Sequence, residues 1–222
     1  MARNAPSALT RFSTDACAAL AHELGDEFAP DPERGAFIGR PTEFGRVGMY
    51  LRTSKKGQPH STHVSLSFGV EHERLTELRQ RAGLPHGGFD AGCDSINAAA
   101  LRGRPGRFGW RRVGAVVDTG PWFCKLDDDP RHLVERILPF VNKLVQPYWT
   151  HFAELRRVRD SILRRNGWCV GLGDVETAML IDVALGNIDH LRGMRAKLIP
   201  ADQTRFDRTW PALESLWSPP AD

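Results

Sequence analysis

The sequence predicts an α+β fold: an N-terminal helix, an antiparallel sheet of about four strands with one short helix, then a C-terminal set of three to four helices. Two observations predict it. Strict two-residue alternation of apolar side chains occurs in the front half, as in Val64, Leu66, Phe68 and Val70 of "HVSLSFGV". Beyond Asp129 the period lengthens to three or four, as in Leu133, Val134, Ile137, Leu138, Val141 and Leu144. Period two places alternate side chains on one face of a strand, and period 3.6 places them on one stripe of a helix.

Ser13 or Thr14 is a candidate cap for the first helix, with Ala16, Leu20 and Leu24 at helical spacing and Gly25 as a stop. "FAPDPERGAF" reads as a Pro/Gly loop. Val47, Met49 and Leu51 alternate next, and "TSKKGQPHST" links them to the "HVSLSFGV" strand as a hairpin loop. "EHERLTELRQRAG" is a short amphipathic helix carrying Leu75 and Leu78, ended by Gly83. "LPHGGFDAGCDS" reads as loop, and "INAAALRG" and "RRVGAVVDTG" as two further strands. Pro139 should kink the following long helix, and Pro147 marks a break or a new first turn. The stripe continues through Tyr148, Phe152, Leu155, Val158 and Ile162 to Asn166-Gly167. "LGDVETAMLIDVALGNIDHLRGM" reads as one helix capped by Asp174, and a last helix holds Phe206, Trp210, Leu213 and Leu216. A single domain over 1–222 is expected, β-rich over about 34–120 and α-rich over about 129–217.

Composition narrows the function classes. The chain has 222 residues and a formal charge of +3. That balance lacks the strong basic excess of a phosphate-gripping protein. The four cysteines, Cys17, Cys93, Cys124 and Cys169, form no CxxC pair. Zinc ligands usually arrive in close pairs, so no metal is expected. The N-terminal stretch has no continuous apolar run, and no segment reaches ~18 apolar residues. A cytoplasmic protein without a membrane span is therefore expected.

"KLDDDPRHLVERIL" concentrates the most acid chemistry. A metal site needs carboxylates converging from different elements, whereas Asp127, Asp128 and Asp129 are consecutive and diverge. They read better as a helix start, with Asp129 the cap and Pro130 in the first turn. His60 and His63 stand three apart, which on a strand gives opposite faces. His22-Glu23 lacks the second histidine of HExxH. There is no GxSxG, and the glycines of "RGRPGRFGW" match no phosphate loop. The run Arg156, Arg157, Arg159, Arg164 and Arg165 reads as a solvated helix face.

The best interaction candidate is a loop bearing Arg104, Arg107, Phe108, Trp110, Arg111 and Arg112, beside Arg102. Arginine and tryptophan are enriched in protein-binding hot spots, and the same pair can grip and stack single-stranded nucleic acid. No catalytic signature and no cofactor motif accompanies it. These features favour a non-enzymatic protein-binding protein. The alternatives are a nucleic-acid-binding module using that loop, and an enzyme assembled from distant residues such as His63, His72, Cys124 or Asp127.

The order of "AFIGRPTEFGRVGMYLRTSKKG", "THVSLSFGVEHERL" and "PWFCKLDDDPRHLVERILPFVNKL" resembles a group of uncharacterised bacterial α+β domains of unknown function. Relatives of that kind occur near toxin genes and are suspected immunity proteins. The resemblance spans residues 14–165 and implies a partner toxin and no catalytic residues. The mildly basic balance departs from the acidic character common among nuclease inhibitors.

Overall fold

The computed structural model describes residues 6–54, 60–85, 88–102, 118, 120–165, 168–169 and 175–217, with the backbone alone for 99–102 and 217. The fold is α+β: an N-terminal helix, an antiparallel sheet and a series of C-terminal helices. Helix α1 (Ala8–Leu24) starts earlier than expected, because the Ser7 hydroxyl accepts from Thr10 N and caps it. Ser13 and Thr14 lie inside the helix and return their hydroxyls to Leu9 O and Thr10 O.

The sheet has six strands among the described residues, in the order β1 (Ala29–Asp31), β2 (Phe37–Thr42), β3 (Gly45–Ser54), β4 (Ser61–His72) and β5 (Ala91–Asp94), with β6 (Trp122–Lys125) also on β4. The two strands foreseen from alternation are β3 and β4. Two others, β1 and β5, lie in segments expected as loops, and β2 and β6 lie largely where no element was assigned. The "FAPDPERGAF" segment contains β1, a turn of 3-10 helix (Pro32–Arg34) and the start of β2. β5 lies in the "LPHGGFDAGCDS" segment, and β6 precedes the triple aspartate. β6 runs antiparallel to β4, pairing Thr62 with Cys124 and His63 with Phe123.

Helix α2 (Glu73–Arg81) follows β4 as expected, and Gly83 beyond it has φ +65°. "INAAALRG" is not a strand: α3 runs over Ser95–Arg102. Asp94 settles it, accepting from Asn97 N at 2.7 Å and capping an alanine-rich run of high helix propensity. The RRVGAVV part of the other expected strand lies outside the described residues.

The back half carries α4 (Pro130–Phe140), a π-helical turn (Val141–Val145), α5 (Gln146–Phe152) and α6 (Leu155–Leu163). Pro139 sits inside α4, and the π-helical turn follows directly. Then come α7 (Val175–Ala184), α8 (Ile188–Met194) and α9 (Pro200–Trp217). The expected single helix over 172–194 is thus two, divided at Gly186, which has φ +72°. Gly186 N and Asn187 N bond back to Val183 O and Asp182 O, closing the end of α7. The expected cap Asp174 lies outside the described residues.

Two compact units emerge. The first comprises Met1–Thr42, Val47–Gly69 and Cys93–Trp149; the second comprises Glu43–Arg46, Val70–Gly92 and Thr150–Asp222. The core of the first is aromatic. Phe68 meets Phe140 and Tyr148 edge-on at 5.8 and 5.0 Å, and Trp122 meets Phe140 at 5.9 Å. The Phe37 ring lies against Gly39 and Gly48, where an added Cβ would overlap it. In the second unit α7 packs against α2, α6, α8 and α9. Nearly every α7 side chain is buried, including a charged one, Asp182.

Candidate functional site

The six loop residues Arg104, Arg107, Phe108, Trp110, Arg111 and Arg112 lie outside the described residues. The acidic stretch is described, and it is a helix start. Asp129 Oδ1 accepts from Arg131 N at 2.9 Å and Pro130 opens α4. Asp128 Oδ2 accepts from Lys125 N at 3.2 Å, closing the turn after β6. Asp127 and His132 are exposed.

The other chemical candidates separate. Residues directly paired across strands share a sheet face and successive residues alternate. Thr62 pairs with Cys124 and His63 with Phe123, so His63 and Cys124 project to opposite faces. They cannot form a nucleophile–base pair. Cys124 is buried, and burial raises its thiol pKa. Cys17 is likewise buried, its thiol pushed up to about 12 by desolvation. Both are poor thiolate nucleophiles.

His72 belongs to a buried cluster in the second unit. Asp90 accepts from His72 N at 2.6 Å and from Arg79 Nη1. The other end of the guanidinium donates to Thr177 Oγ1 at 3.0 Å. Burial alone would raise the Asp90 pKa, but the His72 and Arg79 interactions outweigh it and hold it below the usual carboxylate value. The His72 ring nitrogens face Ala153 O at 3.2 Å and Asp90 Oδ2 at 3.4 Å. With only 2% of the side chain exposed, neither nitrogen is available to a substrate.

A second cluster surrounds Asp182, whose side chain is fully buried. Arg159 Nη1 donates to its Oδ1 at 2.8 Å, and His190 Nδ1 lies 2.6 Å from its Oδ2. Arg159 is therefore not part of a merely solvated face. Burial works against its charge, but bonds to Asp182 and Asp160 hold its pKa above the ordinary value. The arrangement ties α6, α7 and α8 together. His190 is oriented as a base would be, with its Nε2 unbonded among the described residues. No nucleophile partners it there, and no trio of His, Cys, Asp or Glu among the described residues is placed to hold a metal.

A further candidate among the described residues is a groove in the first unit, between α1 and α4, of about 510 Å³. Val134, Leu138, Ala18 and Ala19 supply apolar lining, and Asp15, Glu23 and Glu135 supply carboxylates. All three carboxylates belong to exposed residues, and none has an ion-pair or hydrogen-bond partner among the described residues. His22 and Arg131 also line it, and Asp129 lies at its edge through its capping role. In a chain of net charge +3 this is a locally acidic surface.

The sequence marked His22-Glu23 and Asp129 only for other roles, and Asp15 and Glu135 not at all, because an acidic residue on an exposed helix face is ordinary. Asp182 did leave a signal: a lone carboxylate within "AMLIDVAL", where every neighbour is apolar. No protein-family model, curated protein or solved structure matches the chain. No helix among the described residues is long and apolar enough to cross a membrane.

Proposed function

We propose that the chain is a non-enzymatic protein-binding protein, an inhibitor or immunity factor for a partner toxin, and that it docks its partner in the groove between α1 and α4. The observation that carries this is the combination of an apolar lining with three carboxylates, Asp15, Glu23 and Glu135, that have no partner among the described residues. Apolar contact supplies affinity, and uncompensated charge at the edge supplies orientation and a faster encounter. The groove repels phosphate, so a nucleic-acid partner draws support only from the arginine-rich composition of residues 102–112.

The test is capture of the partner from the native cell, identification of that partner, and reconstitution with purified protein. Asp15→Lys with Glu23→Lys should weaken the reconstituted complex at least tenfold while the circular dichroism spectrum stays unchanged. An identified partner that binds this double variant as well as the parent chain would end the groove assignment. Binding to nucleic acid that falls steeply with salt would favour the alternative.

A further inference from the structure

The groove constrains the shape of its occupant. On α1, Asp15, Ala18, Ala19, His22 and Glu23 fall at i, i+3, i+4, i+7 and i+8, one continuous stripe. On α4, Arg131, Val134, Glu135 and Leu138 repeat the i, i+3, i+4, i+7 pattern. The groove is therefore walled by two helix faces. Asp15 and Glu23 are two turns apart, about 12 Å along the axis at 1.5 Å per residue. Ala19 lies midway, and its small side chain lets another backbone come close.

We infer that the occupant is an amphipathic α-helix of the partner, with Lys or Arg two turns apart and an apolar residue between them. This rests on the docking proposed above and specifies the partner's chemistry. Cations two turns apart match Asp15 and Glu23, and the apolar residue between them covers Ala19, Val134 and Leu138. A helix is required rather than an extended strand because of the backbone. The walls are helices whose own N–H and C=O groups are already paired, so they offer no ladder to an incoming strand. A helix brings its backbone bonds with it, whereas extended peptides dock on sheet edges.

The probe is a synthetic 18-residue peptide of helical period, with Lys at i and i+7 and Leu at i+3 and i+4. One control has the same composition with the lysines moved to the opposite face; a second carries a central proline. Binding is read by fluorescence anisotropy and by amide shifts in the full chain. The patterned peptide should shift α1 and α4 resonances and bind at least tenfold more tightly than either control. Ala18→Trp, which fills the groove without altering its charge, should weaken that binding at least tenfold.

Equal binding of the lysine-moved control, or unchanged affinity of Ala18→Trp, would reduce the effect to general charge attraction and overturn the inference. Equal binding of the proline peptide would remove the helix requirement. If the identified partner loses affinity for Asp15→Lys/Glu23→Lys while the patterned peptide does not bind, the helix inference fails and the docking proposal survives. If the partner's affinity is unchanged in that variant, both fail.

Discussion

The two units solve the interior problem differently. Among the described residues, the buried carboxylate, guanidinium and imidazole side chains of Glu71, His72, Arg79, Asp90 and Asp182 all belong to the second unit. Among the described residues, the polar ones that the first unit buries, Ser61, Thr62 and Ser95, carry no charge and sit within an aromatic and aliphatic core. The groove's carboxylates, without partners among the described residues, stand at the surface. A charge in a core must be matched by partners fixed in place, since removing one partner strands the other. A charge on a surface is cheap and remains available to another molecule. The difference fits the docking proposed for the first unit and places internal ionic cross-links in the second.

The largest expected effect comes from the buried charges. Arg79→Met leaves the Asp90 carboxylate without its cation, and about 3–5 kcal/mol of stability should be lost in urea unfolding at pH 7. A loss under ~1 kcal/mol would mean that His72 alone compensates Asp90, and would blur the contrast. Leu66→Ala, in the neutral core of the first unit, should cost about 3 kcal/mol through a cavity. That loss should be the same at pH 5 and pH 8, because no buried charge surrounds it.

Acid separates the units further. The folded-state pKa of Asp90 is depressed, so its ionised form contributes stability that is fully present above the unfolded value of ~3.9. That contribution is lost as pH falls through the lower folded value. Acid unfolding of the parent should therefore steepen below about pH 4. Asp90→Asn, though weaker at pH 7, should show a shallower acid limb, and identical limbs would remove Asp90 from the account. The smallest effect belongs to the groove. Asp15→Asn with Glu23→Asn should change stability by no more than about 0.5 kcal/mol, as for surface positions without partners. A larger loss would mean that these carboxylates support the fold rather than await a partner.

How much of this the sequence shows depends on what each element needs from its neighbours. β3 and β4 announce themselves because three apolar side chains in the one and four in the other alternate without interruption. The start of α4 is equally plain, since Asp129 and Pro130 act locally. β1, β5 and β6, with three, four and four residues, are too short to show a period. They exist because longer strands lend them hydrogen bonds. α3 was misassigned because its apolar run was weighed without the capping Asp94. Alternation in β4 holds from Thr62 to Phe68, then both faces are buried through His72, where the second unit's charges begin. The groove was least legible: α1 and α4 are far apart in the chain, and only packing brings Asp15 and Glu135 to one surface.

The ring of Phe37 over Gly39 and Gly48 carries a consequence for substitution. The three positions share one volume, so none of them mutates independently. A methyl added at 48 would meet the Phe37 ring and also the Ile38 carbonyl oxygen at 2.8 Å, so a smaller residue at 37 relieves it only in part, whereas at 39 the ring is the closer obstacle and the Val47 carbonyl oxygen stands at 3.0 Å. In a combinatorial library over these sites, survivors should fall into matched combinations, large at 37 with two glycines or small at 37 with an alanine at 39, while position 48 stays glycine because backbone also closes it.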